Sequence, residues 1–151
     1  MVELVGKGSA LVIATVGADG DPYAGRGWGA DVIAPSRVRV IVDGRDSSTI
    51  ENLAAKSAVA ITATDVPTLR SLQFKGRSLG LQAGGPEDRL RADRYCEAFF
   101  NDVARTDGLA IRLLRRLVPE EYVVCEIDVT ELYDQTPGPG AGRPFGTSAS
   151  G

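Results

Sequence analysis

The chain has 151 residues, 43% of them hydrophobic and 25% charged, with a formal net charge of −3. These are the proportions of one ordinary globular domain, long enough to bury about two-thirds of its unfolded surface without a disulfide or a metal. The acidic balance argues against a general nucleic-acid binder, and the lack of any histidine removes Ser-His-Asp and Cys-His catalysis and argues against a catalytic zinc.

Met1 to Lys7 has neither a basic n-region nor a long apolar run, so no signal peptide is expected. No apolar stretch nears the ~20 residues that span a bilayer. The default expectation is a cytoplasmic protein, with Cys96 and Cys125 as reduced, buried small hydrophobes.

Ser9 to Val16 is almost wholly apolar and rich in β-branched residues, which predicts a buried strand. Gly17 to Pro22 is a turn by composition, and Tyr23 to Ala34 completes a hairpin. In that second strand Gly25, Gly27 and Gly29 alternate with Arg26, Trp28 and Ala30. Three glycines on one face make either a flat shelf for a ligand or a tightly packed barrel corner, with Arg26 and Trp28 on the other side. Arg37 to Asp43 is a third strand, with Val38, Val40 and Val42 on one face and Arg37 and Arg39 on the other.

Ser48-Thr49-Ile50-Glu51 fits a capping box with Ser48 at the N-cap, opening a short helix that ends near Lys56. Free N–H groups, the hydroxyls of Ser47, Ser48 and Thr49, and nearby Arg45 form a candidate phosphate seat; an ordinary capped helix is the plainer alternative. Ser57 to Thr64 is a fourth strand. Leu69 to Ala83 is a long fifth one, bent at Gly76 or Gly80, with Ser71, Gln73, Lys75 and Arg77 on its polar face.

Pro86 opens the main helix, where Ala92, Cys96, Phe99 and Val103 recur at helical spacing to about Thr106. Leu109 to Leu117 is basic and Leu-rich, with Arg112, Arg115 and Arg116. It is predicted as a short helix lying on the barrel, with a membrane-surface patch as the minor alternative. Glu121 to Leu132 is the last strand. The division expected is a domain over 1–136 and a flexible Pro/Gly/Ser/Thr tail over 137–151. The fold class predicted is mainly β (α+β): a six-stranded antiparallel Greek-key barrel, with a short helix after the third strand and a longer one before the last.

Four stretches carry a family resemblance. They are the hairpin Ala10 to Trp28, the helix opening Ser47-Ser48-Thr49-Ile50-Glu51-Asn52-Leu53, the strand Arg70-Ser71-Leu72-Gln73-Phe74-Lys75-Gly76, and the closing run Glu131 to Pro139. Together, over about residues 9–139, the chain resembles the pyridoxamine 5′-phosphate oxidase-like split β-barrel family. The resemblance implies a homodimer with two flavin mononucleotide (FMN) sites at the subunit interface and hydride transfer to or from a small-molecule substrate. It implies neither a nucleic acid nor a membrane as partner. Arg26 matches a family arginine that reaches the phosphate, Ser47 a phosphate-contacting serine, and Arg70 the start of the strand whose polar face approaches the cofactor. Gly27, Trp28, Arg45, Ser48, Thr49, Gln73 and Lys75 complete the expected site, with Trp28 as a stacking or substrate wall.

The chain departs from the family pattern in places. Asp31 and Thr49 stand where the oxidase proper has lysines, and Ser71 stands for a glutamine that Gln73 on the same face replaces. Two lost charge-assisted contacts weaken an FMN site by roughly a hundredfold unless Arg39, Arg45 or Lys75 compensates. There is no histidine–arginine pair for the vitamer substrate, so genuine pyridoxamine phosphate oxidase activity is not expected. The alternatives are the deazaflavin F420 as cofactor of a reductase, or a non-catalytic ligand-binding or stress- and redox-sensing dimer.

Overall fold

The computed structural model describes residues 2–145. Its core is a closed antiparallel barrel of six strands: β1 (Ala10–Val16), β2 (Pro22–Ala34), β3 (Arg37–Asp43), β4 (Ala58–Thr64), β5 (Ser71–Ala83) and β6 (Tyr122–Asp134). Their order is β3-β2-β1-β4-β5-β6, and β3 pairs with β6 to close the ring. This is the predicted split β-barrel. Period-2 alternation fills it: Leu11, Ile13, Val38, Val40, Val42, Ile61, Phe74 and Ile127 are all buried. The long strand β5 carries register shifts at Lys75/Gly76 and at Ser78/Leu81, so it bends at both expected glycines.

Helix α1 (Val2–Gly6) was not anticipated from the sequence. Helix α2 (Ser47–Ala54) follows β3, and α3 (Pro86–Asp107) follows β5, as expected. Gly85 caps α3 with its N–H donated to Asp88 Oδ2 at 2.9 Å, and Gly108 ends it in the left-handed conformation. The apolar face of α3, with Ala92, Tyr95, Cys96, Phe99, Phe100 and Val103, lies against the barrel's outer wall. Beyond it come a single-turn α4 (Ile111–Leu114) and a 3-10 turn (Arg115–Leu117), in place of one continuous short helix.

The tail expected from Pro137 onward instead returns along the barrel. Gly142 N donates to Asp134 O and Phe145 N to Leu132 O, and β7 (Arg143–Pro144) pairs with β6. The rest of that stretch, 146–151, lies outside the described residues. Among the described residues no helix is long and apolar enough to cross a membrane.

Candidate functional site

Among the described residues, no helix covers most of the outer face formed by β2, β1, β4, β5 and the end of β6. Cross-strand register sets its side chains in rows. The first row runs Arg26, Val12, Thr62, Gln73, Tyr133, and the second runs Ala24, Ala14, Ala60, Lys75, Glu131. The middle of the face is therefore small: three alanines beside Val12, which is 48% exposed. Its β5 edge is polar. Gln73 Nε2 donates to Thr62 Oγ1 at 3.1 Å, and Lys75 Nζ sits 4.6 Å from the Tyr133 ring centre. From β2 to β5 is three strand steps, roughly 14 Å.

Arg26 marks the seam between this face and α3. Its guanidinium carbon lies 5.0 Å from the Trp28 ring and 4.5 Å from the Phe99 ring. Its Nε is buried with no hydrogen-bond partner among the described residues. An open groove of about 520 Å³ runs past it, between Ala10, Val12, Ala24, Asp46 and Phe99.

The second strand departs from the expected ligand shelf. A Cβ at Gly25 would strike the Thr49 hydroxyl and stand 2.5 Å from Asp46 Oδ2, while one at Gly27 would stand 2.8 Å from Leu11 Cβ. The glycines thus admit α2 and the barrel core, which is the packed-corner alternative. Trp28, expected as a stacking or substrate wall, is only 5% exposed and belongs to the core. Its face is already taken by Arg26.

The start of α2 also differs. Asp46, not Ser48, is its N-cap, accepting from Thr49 N at 3.2 Å and from Thr49 Oγ1 at 2.6 Å. Ser47 N donates to Arg45 O and Ile50 N to Asp46 O, so three of the first N–H groups are engaged. Thr49 is fully buried, whereas Ser47 is exposed. A carboxylate holds the place a phosphate would take. Arg45 turns away to pair with Glu120. Arg70 precedes β5 and lines a separate cleft of about 410 Å³ with Glu3, Lys7 and Asp65.

The fold therefore brings Arg26, Gln73 and Lys75 onto one face and leaves Arg45, Thr49 and Arg70 elsewhere. It adds Val12, Ala14, Ala24, Ala60, Thr62 and Tyr133, which are legible only once register is known. Asp46 had a local signal, a carboxylate three residues before Thr49 and ahead of an apolar stripe. Neither cysteine supplies a reactive thiolate: burial pushes Cys96 up to about 11 and also raises Cys125.

No family model matches the chain, and no curated protein does. Solved structures do. HupZ of Group A Streptococcus is 22% identical, with 94% of this chain covering 96% of that one at a TM-score of 0.57. An F420 reductase is 19% identical, with 86% and 93% covered at a TM-score of 0.59. A Clostridium acetobutylicum protein related to general stress protein 26 of B. subtilis, of the pyridoxinephosphate oxidase family, is 14% identical, with 87% and 82% covered at 0.51. At these identities the shared property is the fold: a split barrel of the kind that pyridoxinephosphate oxidase relatives and the F420 reductase have in common.

Proposed function

We propose that this protein binds a planar flavin-type cofactor on its open sheet face, as a homodimer, and works as an oxidoreductase on a small molecule. FMN is the first choice and F420 the alternative. One observation carries the reading: a flat field of alanines, edged by an amide, a hydroxyl and an ammonium, runs into a groove beside an arginine with an unpartnered Nε. Solved proteins with this fold include an F420 reductase and a pyridoxinephosphate oxidase-family protein, which makes such a ligand a natural one to test.

The residues fit such a group in part. Ala14, Ala24 and Ala60 offer a wall without protruding side chains for a flat ring. Thr62, Gln73 and Lys75 offer hydrogen bonds to its polar edge, and Arg26 offers a cation for an anionic tail. The start of α2 does not fit a phosphate, because Asp46 already caps it. When bound, a flavin supplies hydride chemistry. The chain's own work is to orient the ring through Gln73 and Lys75 and to exclude water. A second copy laid over Val12 and the alanines would complete that exclusion.

A second reading, a non-catalytic ligand-binding dimer, is favoured by the acidic cap at α2. Visible absorbance and FMN and F420 titration of the purified chain separate the two. Cofactor absorbance, or saturable binding that Gln73→Ala with Lys75→Ala weakens at least tenfold, supports the first. A colourless protein that binds neither compound leaves only the second.

A further inference from the structure

The segment after α3 is amphipathic in an unusual sense. Ile111, Leu114 and Val118, at i, i+3 and i+7, pack inward on the core. Leu109, Arg112, Leu113, Arg116 and Leu117, spread over the approach to α4, α4 itself and the 3-10 turn, are all exposed. The three leucines each keep about half their surface in water. Residues 109–117 contain three arginines and no acid, in a chain whose net charge is −3. Among the described residues none of Arg112, Arg115 and Arg116 forms an ion pair. Single exposed leucines are commonplace; three within nine residues, interleaved with arginines that form no ion pair among the described residues, are the kind of cluster that meets a partner.

We infer that this face docks the protein reversibly on an anionic lipid surface. The leucines enter the boundary between headgroups and acyl chains, and the arginines meet lipid phosphates. Two features favour lipid over a protein partner. Nine residues fall well short of the roughly 20–30 per side that a stable protein interface uses. The neighbouring cavity of about 320 Å³, lined by Asp93, Glu97, Phe100, Ile111, Arg115 and Val118, takes in one of the arginines but none of the three leucines, so it offers the leucines no groove to share with a partner. The patch is small, so the contact is salt-sensitive rather than an anchor. It departs from the expectation of no membrane partner, and it does not depend on whether a flavin binds.

The test is flotation of the full chain with phosphatidylcholine vesicles, with and without phosphatidylserine, at low and high salt. The chain should float only with the anionic vesicles and only at low salt. The variant R112Q/R115Q/R116Q should lose about a hundredfold in partitioning, roughly fivefold per arginine. The variant L113S/L117S keeps every charge and should also float poorly, with an unchanged circular dichroism spectrum. The inference fails if the parent does not float with phosphatidylserine, or if the leucine variant floats as well as the parent. It fails equally if the leucine variant has a lower molar mass than the parent without vesicles, because the face is then a contact between copies. Binding to soluble polyglutamate as tight as to vesicles would also overturn it, in favour of an acidic protein partner.

Discussion

The two outer faces of the barrel begin from the same alternation and end differently. Under α3, the outward side of β3 and β6 is sealed. Ile41 and Val124 are buried there, and Arg39 meets Asp88 through two hydrogen bonds of 2.9 and 2.8 Å and Glu126 through a third. Arg91 extends the network to Asp31 and Asp88. On β1, β4 and β5 the outward side chains meet solvent, and Lys75 has no ion-pair partner among the described residues. On the sealed face the buried charge comes with its carboxylate, whereas Arg26 at the seam and Lys75 on the open face form no ion pair among the described residues. The uncompensated polar groups of the open face are therefore free to meet something other than this chain.

Breaking the sealed face should have the largest effect. Asp88→Ala leaves Arg39 half-buried with only Glu126 and removes the cap on Gly85, so it should cost about 3 kcal/mol in urea denaturation. A loss under ~1 kcal/mol would mean α3 is held by its apolar face alone.

Acid sharpens the same point. Hydrogen bonds from Arg39, then that from the Gly85 N–H, hold the Asp88 carboxyl below its ordinary range against the opposing effect of burial. A carboxyl lowered on folding contributes stability that is complete above the ordinary carboxylate range and fades as pH falls through the folded value. The stability gap between the parent and Asp88→Asn should therefore be widest near neutrality and shrink in acid. A gap constant with pH would remove the ion pair from the account.

On the open face, Val12→Glu puts a carboxylate in the middle of the alanine field. If two copies meet there, light scattering should show the molar mass of the parent halved in the variant, with the circular dichroism spectrum unchanged. A parent that is already monomeric, or a variant that stays dimeric, would separate the dimer from this face.

Much of the sealed face was legible in the sequence, because it rests on local patterns. Arg37 and Arg39 on the side of β3 opposite its valines, the apolar stripe of α3 and Pro86 at its start each announce themselves within a few residues. The open face was legible only as fragments. Gln73 and Lys75 read as one polar edge, but nothing local says that Thr62, Val12 and Arg26 complete the row, since register between strands is a tertiary property. The glycines of β2 were visible and their purpose was not: only the packed α2 and Leu11 distinguish a corner from a shelf. The return of residues 142–145 to β6 was hidden by a composition that reads as a loop.

The smallest expected effect bears on where an anion can sit. Ser47 is exposed, its N–H is already donated to Arg45 O, and its neighbour Asp46 presents a carboxylate. A phosphate there would have to displace that carboxylate from the N–H of Thr49 or bear its repulsion. Lys75 stands among groups that repel no anion except Glu131, the next residue along its row, and the Tyr133 ring beneath it holds its position. In FMN titration Ser47→Ala should change affinity by less than about twofold, within the ±0.5 kcal/mol typical of surface substitutions, whereas Lys75→Ala weakens it at least several-fold. If the serine variant loses the larger share, the anionic end of the ligand lies at α2, and Asp46 must give up its cap to receive it.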